Sequence, residues 1–216
     1  MTEISNNYAE ARRYLKNKYQ HVPTDTKERI LSDISKFQES IAFEAPHLDK
    51  ILDELARLIY RNFEFKEVCI GLIDLNDKSL RYRIFIGLHE EAKKNLRMCK
   101  YTQTEFLDEK KHPGIWISKL TKFFISGEAE YEQWERSCFN RPLILIGKRD
   151  LMDADIEGDY IDVHIFGKDK RLLGWIELSN TRTGKIPEPE TIRWIEILAG
   201  TMSPIIQSHL MKKLKS

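Results

Sequence analysis

After Pro23 the apolar residues Ile30, Ile34, Phe37 and Ile41 recur at spacings of four, three and four, which is the narrow seam of a helix. Asp25 followed three residues later by Glu28 supplies the acceptor and acid of a capping box at its start. Glu44-Ala45-Pro46 interrupts this helix. A second one follows, whose stripe of Leu48, Ile51, Leu52, Leu55, Leu58 and Ile59 is broad enough to pack on a sheet. From Lys66 the period drops to two. Val68, Ile70 and Leu72 alternate with Cys69, Gly71 and Ile73 up to the turn residues Asn76-Asp77-Lys78. The returning strand, Leu80 to Ile86, puts Leu80, Tyr82, Ile84 and Ile86 on one face and Arg81, Arg83 and Phe85 on the other.

Residues 87–158 carry weaker patterns. They predict helices around Glu90 to Leu96 and Ala129 to Cys138, and short strands around Ile115 to Ile117 and Leu143 to Ile146. Alternation returns at Asp159 to Phe166, turns through Gly167-Lys168-Asp169-Lys170 and continues over Leu172 to Ser179 as a second hairpin. A closing helix opens at Pro187-Glu188-Pro189-Glu190 and runs through Ile192, Ile195, Leu198, Ala199, Met202, Ile205, Ile206 and Leu210. The order predicts an α+β fold: an antiparallel sheet with long N- and C-terminal helices on one face and the other face left for a pocket. Ser5 to Tyr19 reads as a short basic helical arm. Residues 1–45 thus form a helical extension and 46–216 the main domain.

Composition narrows the function. In 216 residues, 35 Lys+Arg against 34 Asp+Glu leave a net charge of +1, so no overall field draws nucleic acid or an anionic membrane. The apolar runs are too short to span a bilayer, and the polar start does not resemble a signal peptide, so a cytoplasmic protein is expected. Cys69, Cys99 and Cys138 are odd in number and widely spaced, as expected of free thiols rather than of a disulfide or metal framework. There is no GxGxxG, P-loop or GxSxG segment, and no recognition helix in the first 45 residues.

If Val68, Ile70, Leu72, Val163, Ile165, Ile176 and Leu178 face the helices, alternation sends Cys69, Arg83, Phe85, Asp162, His164, Trp175 and Glu177 to the opposite face. Such a set suits a polar, partly aromatic ligand, with stacking on Trp175, an anionic group on Arg83 and an amine on Glu177. The competing reading is a solvated sheet face on which Arg83, Asp162 and Glu177 form cross-strand ion pairs. Trp116 and Trp134 fall in the irregular middle, where they would roof the pocket, while Trp194 belongs to packing. His164 is a candidate ligand for haem or metal, against an ordinary hydrogen-bonded role. Cys69 reads as a packed or pocket-lining thiol rather than a nucleophile.

The element order, together with Val163-His164-Ile165-Phe166-Gly167-Lys168-Asp169-Lys170-Arg171-Leu172-Leu173-Gly174-Trp175-Ile176-Glu177-Leu178, resembles the last hairpin of GAF domains, and the helix carrying Ile192, Glu196, Leu198 and Ala199 resembles their closing helix. The likeness covers residues 46–210 in outline, and its wording looks most like GAF modules of archaeal sensor kinases. It implies a cytoplasmic regulatory module that binds a small molecule or chromophore, or simply dimerises. The family's methionine-sulfoxide reductases carry a cysteine in a Gly-Val-Cys-Gly segment and its bilin binders a Cys-His pair, neither of which occurs here. Its cyclic-nucleotide binders place Asn-Lys after the closing strand, where this chain has Asn180-Thr181.

The sequence therefore points to a non-catalytic sensor of a small polar effector that signals through its helices as a homodimer. Ile30, Ile34, Phe37 and Ile41 would pair across a two-fold axis, or fold back on their own chain. Output would pass to a separate signalling protein. A ligand-free docking module is the alternative reading, with a haem or thiol redox sensor behind it; the cofactor is not named by the sequence.

Overall fold

The computed structural model describes Glu10, residues 12–16, Lys18, and residues 25–44, 46–128, 131–145 and 149–213. Most of the basic arm over Ser5 to Tyr19 lies outside the described residues; Glu10, 12–16 and Lys18 are helical and exposed. The chain divides into two compact units, Met1–Glu44 and Ala45–Ser216.

In the first unit, α1 spans Thr26–Glu44. Asp25 Oδ1 accepts the Glu28 N–H at 2.8 Å, so the acceptor found in the sequence caps the helix. Ile30, Ile34 and Phe37 are buried in the single chain, and Ile41 is half-buried.

The second unit is one six-stranded antiparallel sheet backed by helices. β1 (Phe65–Ile73), β2 (Leu80–Ile86), β3 (Ile115–Trp116), β4 (Thr121–Phe124), β5 (Tyr160–Phe166) and β6 (Leu172–Thr181) lie in the order β2-β1-β6-β5-β4-β3. α2 (Leu48–Asn62) packs on β1 and β2, and the closing helix (Pro189–Lys213) packs on β5 and β6. All six residues of the predicted α2 stripe are buried, as are Val68, Ile70, Val163, Ile165, Ile176 and Leu178 on the strands. Burying side chains of this size contributes about 1.5–3 kcal/mol each. On the closing helix Ile192, Ile195, Leu198, Ala199, Met202, Ile206 and Leu210 are buried while Ile205 is half-buried.

The other sheet face is covered by the irregular middle of the chain. Three short helices, α3 (Glu90–Met98), α4 (Gln103–Phe106) and α5 (Gln133–Arg136), cross it; the closing helix is α6. α5 is shorter than the sequence suggests, β4 has no counterpart in the expected elements, and Leu143 lies in a 3-10 turn (Pro142–Ile144) rather than in a strand. Pro142 explains the last point, because its fixed φ and missing N–H suit the first residue of such a turn. Polar side chains tie this segment to the sheet. Asn140 accepts the His89 N–H at 2.7 Å and donates to Glu67 at 2.6 Å, while Arg141 donates to Glu157 at 2.8 Å and to Asn180 at 2.8 Å.

Gly87, which ends β2, has φ +80°, and a Cβ there would lie 1.7 Å from the Lys66 carbonyl oxygen. The chain leaves the sheet towards α3 through a bend that only glycine makes without strain.

Candidate functional site

The sheet face turned away from α2 and α6 is built by strict alternation. Glu67 and Cys69 on β1 stand opposite Ser179 and Glu177 on β6, and Ser179 and Glu177 in turn stand opposite Tyr160 and Asp162 on β5. Lys122 and Phe124 of β4 continue these rows against Asp162 and Tyr160. A cavity of about 100 Å³ lies over this face, floored by Glu67, Cys69, Tyr160, Glu177 and Ser179. Tyr101, His112, Tyr131, Trp134 and Cys138 wall it from the covering segment. A smaller chamber of about 40 Å³ reaches Phe106, Phe124 and Asp162, and shares Tyr82, Tyr101, His112, Tyr160 and Glu177 with it. Outside, Tyr101, Trp134 and Glu135 also border an open groove running to Met98 and Lys111, so Trp134, 51% exposed, stands at the mouth.

The face is occupied unevenly. Cys69 and Glu177 line the main cavity and Asp162 the smaller chamber. Trp175 is 0% exposed, with its ring 4.9 Å from Tyr82 and 4.6 Å from Phe106, and offers no free surface for stacking a ligand. His164 lies on the same face but is buried among Phe106, Phe166 and Trp116. Its Nδ1 is 3.1 Å from the Leu120 carbonyl, and burial lowers its pKa to about 4, so the ring is neutral and already engaged. Phe85 packs with Tyr82 and under Arg97 beside the Cys69–Cys99 cluster. Trp116 sits partly exposed on the edge strand, donating to Glu109 at 2.9 Å, and borders neither chamber.

Arg83 requires a correction. A bulge between Ile70 and Gly71 shifts the β1–β2 register, so Gly71 faces Tyr82 and Arg83 is the extra residue. One inserted residue exchanges the two faces beyond it. Arg83 therefore reaches Asp49 of α2 at 3.2 Å, on the helix side, and Leu80 and Tyr82 turn to the cavity side. The expected cation for an anionic ligand is thus not in the site, and a tyrosine donor takes its place.

Electrostatically the site is acidic. Glu67 is saturated by Asn140, Asn180 and Ser179, at 2.6, 2.9 and 2.8 Å. Glu177 accepts Tyr82 Oη at 2.5 Å. Burial raises its pKa to about 7, with the nearby Glu67 adding to the shift. Burial, and then the Glu177 charge, pushes Asp162 well above the carboxylate range, only partly opposed by Lys122. Lys122 itself is buried, donates to the His112 carbonyl at 2.8 Å and lies over the Trp116 and Phe124 rings. Three buried polar atoms have no hydrogen-bond partner among the described residues: Asp162 Oδ1, His112 Nε2 and Trp175 Nε1. The Trp175 N–H lies beside Glu177 without hydrogen-bonding to it. Unsatisfied polar atoms of this kind cost about 1–3 kcal/mol each, a cost that a ligand or ordered water removes.

The raised pKa of Glu177 makes a stability prediction. In the folded protein this carboxyl holds its proton up to about pH 7, whereas the unfolded chain releases it near its ordinary value of 4.5. Between those values the native state binds more protons, so Glu177 lowers stability as pH rises through the interval and has no further effect above it. Glu177→Gln is expected to gain on the order of 2 kcal/mol over wild type at pH 8 and almost nothing at pH 4.5. Chemical unfolding at both pH values checks this; equal differences at the two would contradict it.

Among the described residues no group of three or more His, Cys, Asp or Glu is placed to hold a metal ion, and no helix is long and apolar enough to cross a membrane.

Comparisons with known proteins place the fold. No protein-family model matches the chain, and no curated protein matches it. Solved structures do. The GAF domain of a phosphoenolpyruvate-protein phosphotransferase from Coxiella burnetii is 11% identical with a TM-score of 0.57, over 89% of this chain and all of that one. A GAF domain/HD domain protein from Geobacter sulfurreducens is 11% identical with a TM-score of 0.53, over 76% of this chain and 93% of that one. The GAF domain of an Acinetobacter phosphoenolpyruvate-protein phosphotransferase is 13% identical with a TM-score of 0.53, over 82% and 92%. Nothing in these three supports the narrower likeness to archaeal modules. The six-stranded antiparallel sheet with its helices is that of the GAF fold.

Proposed function

We propose that this chain is a non-catalytic GAF-like regulatory module whose cavity binds a small polar effector and whose helices carry the signal, as a homodimer, to a separate partner protein. The observation that carries this reading is a walled cavity on the sheet face opposite the long helices, lined in its two chambers by Asp162 and His112, each of which has a buried polar atom without a partner among the described residues. A ligand-free docking module would need the covering segment packed shut. That holds beside Trp175 but not above Glu177.

A route to the helices runs through β4. Lys122 faces the Asp162 side, while its neighbour Thr121 points the other way and donates to Glu196 of α6 at 2.5 Å. A ligand that moved β4 would thereby act on α6. α6 carries an exposed stripe at Ile197, Gly200, Pro204, Ser208 and Met211, which is the surface we assign to a second copy. Light scattering on the eluting protein is expected to give the mass of two chains, and that of one for the double variant Ile197→Asp, Met211→Asp. A monomeric wild type would remove the dimer from this reading.

Effector binding is tested by thermal shift against a metabolite library, using wild type and the cavity-filling variant Cys138→Phe. A ligand at a hundredfold over its Kd stabilises by about 2.7 kcal/mol, or roughly 5–10 °C in a domain of this size. The expected result is at least one compound that shifts wild type and leaves the variant unmoved. No shift with any compound would favour the docking module.

One observation favours a second reading, a thiol redox sensor. Cys138 packs against the buried cluster that contains Cys99, and the influence of each thiol on the other pulls Cys99 below its ordinary pKa and pushes Cys138 up. Asn95 donates to the Ser137 carbonyl at 3.0 Å, holding α3 against the end of α5. A peroxide would oxidise the pair: the Cys99 thiolate attacks one peroxide oxygen and the O–O bond breaks, giving a sulfenic acid and a hydroxide that takes up the proton Cys99 released. The Cys138 sulfur then attacks the sulfenic sulfur, whose hydroxyl leaves as water with the Cys138 proton to close the disulfide. Intact mass after peroxide treatment and alkylation is expected to show one crosslink in wild type and none in Cys99→Ser. Full alkylation of the peroxide-treated wild type would remove this reading.

A further inference from the structure

Resting on the effector-binding reading, we propose that the ligand is a small organic cation, a protonated amine on a compact apolar or aromatic body, whose ammonium group sits between Asp162 and Glu177. The two carboxyls stand directly opposite one another on β5 and β6. Asp162 is 3% exposed, its Oδ1 has no partner, and it lines the chamber it shares with Glu177. Two buried carboxyls side by side with an unfilled acceptor lack a donor that carries positive charge, and an ammonium group supplies up to three N–H bonds and that charge together.

The groups facing this pair do not already satisfy it. On β1, Cys69 is a buried thiol that holds its proton, and Glu67 is saturated by its own three donors. On β2, Tyr82 gives one bond to Glu177 and none to Asp162. On β4, Lys122 stands opposite Asp162 but spends its ammonium on the His112 carbonyl and two aromatic rings. From the covering segment come Tyr101, Tyr131, Glu135 and His112, of which burial keeps His112 neutral. Among the described residues the site is therefore acidic without a free cation, and an anion entering it would meet Glu67, Glu135, Asp162 and Glu177 with no guanidinium to receive it. Tyrosine and tryptophan rings line the way in, and such rings attract cations. The main cavity is somewhat smaller than the roughly 150 Å³ apolar cavities that accept benzene, and the adjoining chamber of about 40 Å³ extends it, so the body of the ligand is no larger than a single ring or a short chain.

Proton linkage gives the proposal a signature. In the empty site Glu177 holds a proton up to about pH 7, and an ammonium group must displace it. Affinity for an amine therefore rises with pH, by about tenfold between pH 6 and pH 8 for one such group. Two matched series serve as probes: benzylamine, benzyl alcohol and benzoate, and propylamine, propanol and propanoate. Titration calorimetry of the full chain at pH 6 and pH 8 is expected to rank an amine first in at least one series, tighter at pH 8 by about tenfold. Glu177→Gln should flatten the part of the pH dependence that falls near pH 7 and leave what the Asp162 proton contributes, and Asp162→Asn should weaken the amine at least tenfold, with both variants first confirmed as folded by their melting curves. Tighter binding of the alcohol or acid, a flat pH profile, or no binding of either amine would overturn the proposal. The effector-binding reading survives such a failure if another compound still shifts wild type and not Cys138→Phe. If none does, both fall.

Discussion

Arg149→Ala is expected to lower the melting temperature by about 10 °C. Arg149 donates both bonds of its NH2 group to Asp159, at 2.7 and 2.8 Å, and also donates to the Ala154 carbonyl. The Asp159 side chain is completely buried at the start of β5, where it also accepts the Ser126 and Ile156 N–H groups at 2.9 and 3.2 Å. These bonds hold the covering segment to the sheet beside the cavity. Without the guanidinium, the carboxylate must stay charged and uncompensated or take a proton, and breaking a buried pair in this way costs about 3–5 kcal/mol. A domain of this size loses roughly 2–4 °C per kcal/mol. The double variant Arg149→Met, Asp159→Leu removes both charges and is expected to recover part of the loss. A drop below 2 °C for the single variant, in a thermal melt at pH 7, would show that the pair carries little.

Gly71→Ala is expected to cost about 3 kcal/mol, for a reason confined to one contact. Gly71 stands opposite Trp175 across β1 and β6, and a Cβ on it would lie 2.0–2.4 Å from three atoms of the indole ring. The ring has nowhere to go, since Tyr82 and Phe106 hold it from the other sides. Overpacking a filled site of this kind costs about 1–3 kcal/mol or more. The check is a double-mutant cycle with Trp175→Leu. Because the smaller side chain removes the clash, the two substitutions together should cost at least 1 kcal/mol less than their sum. Additive losses would mean that Gly71 is needed for something other than room for Trp175.

Much of this frame is legible in the sequence because period and burial coincide. The α2 stripe, both hairpins and the closing helix announce themselves through residues such as Leu52, Val68, Ile165 and Leu198, whose spacing repeats for several turns or strand positions. The same alternation extends to the cavity floor: stepping back two residues from Cys69 and Asp162 gives Glu67 and Tyr160, and forward two from Glu177 gives Ser179. That step was available from the pattern alone.

What the sequence hides is of two physical kinds. The bulge that puts Tyr82 into the cavity and Arg83 against Asp49 is marked only by Gly71 on the facing strand, while the alternation of Leu80 to Ile86 reads smoothly through the point where the faces exchange. The covering segment is set by contacts distant in the chain, such as Asn140 to Glu67 and Arg141 to Asn180, and the helix that meets Trp175 and the helix that carries Trp134 are each only four residues long. Local periodicity carries no information about such pieces. For the same reason the sequence places Trp175, His164 and Glu177 on one face without revealing that Phe106 closes the site over the first two and leaves room only above the third.

The cavity above Glu177 is the place we propose for a small effector. Native mass spectrometry of freshly purified protein, set against its denatured mass, tests it most directly. The account predicts a non-covalent excess of a small, nitrogen-containing molecule on each protomer, reduced in Asp162→Asn and absent from Cys138→Phe. A clean apo mass, with no thermal shift from any compound tested, would contradict it.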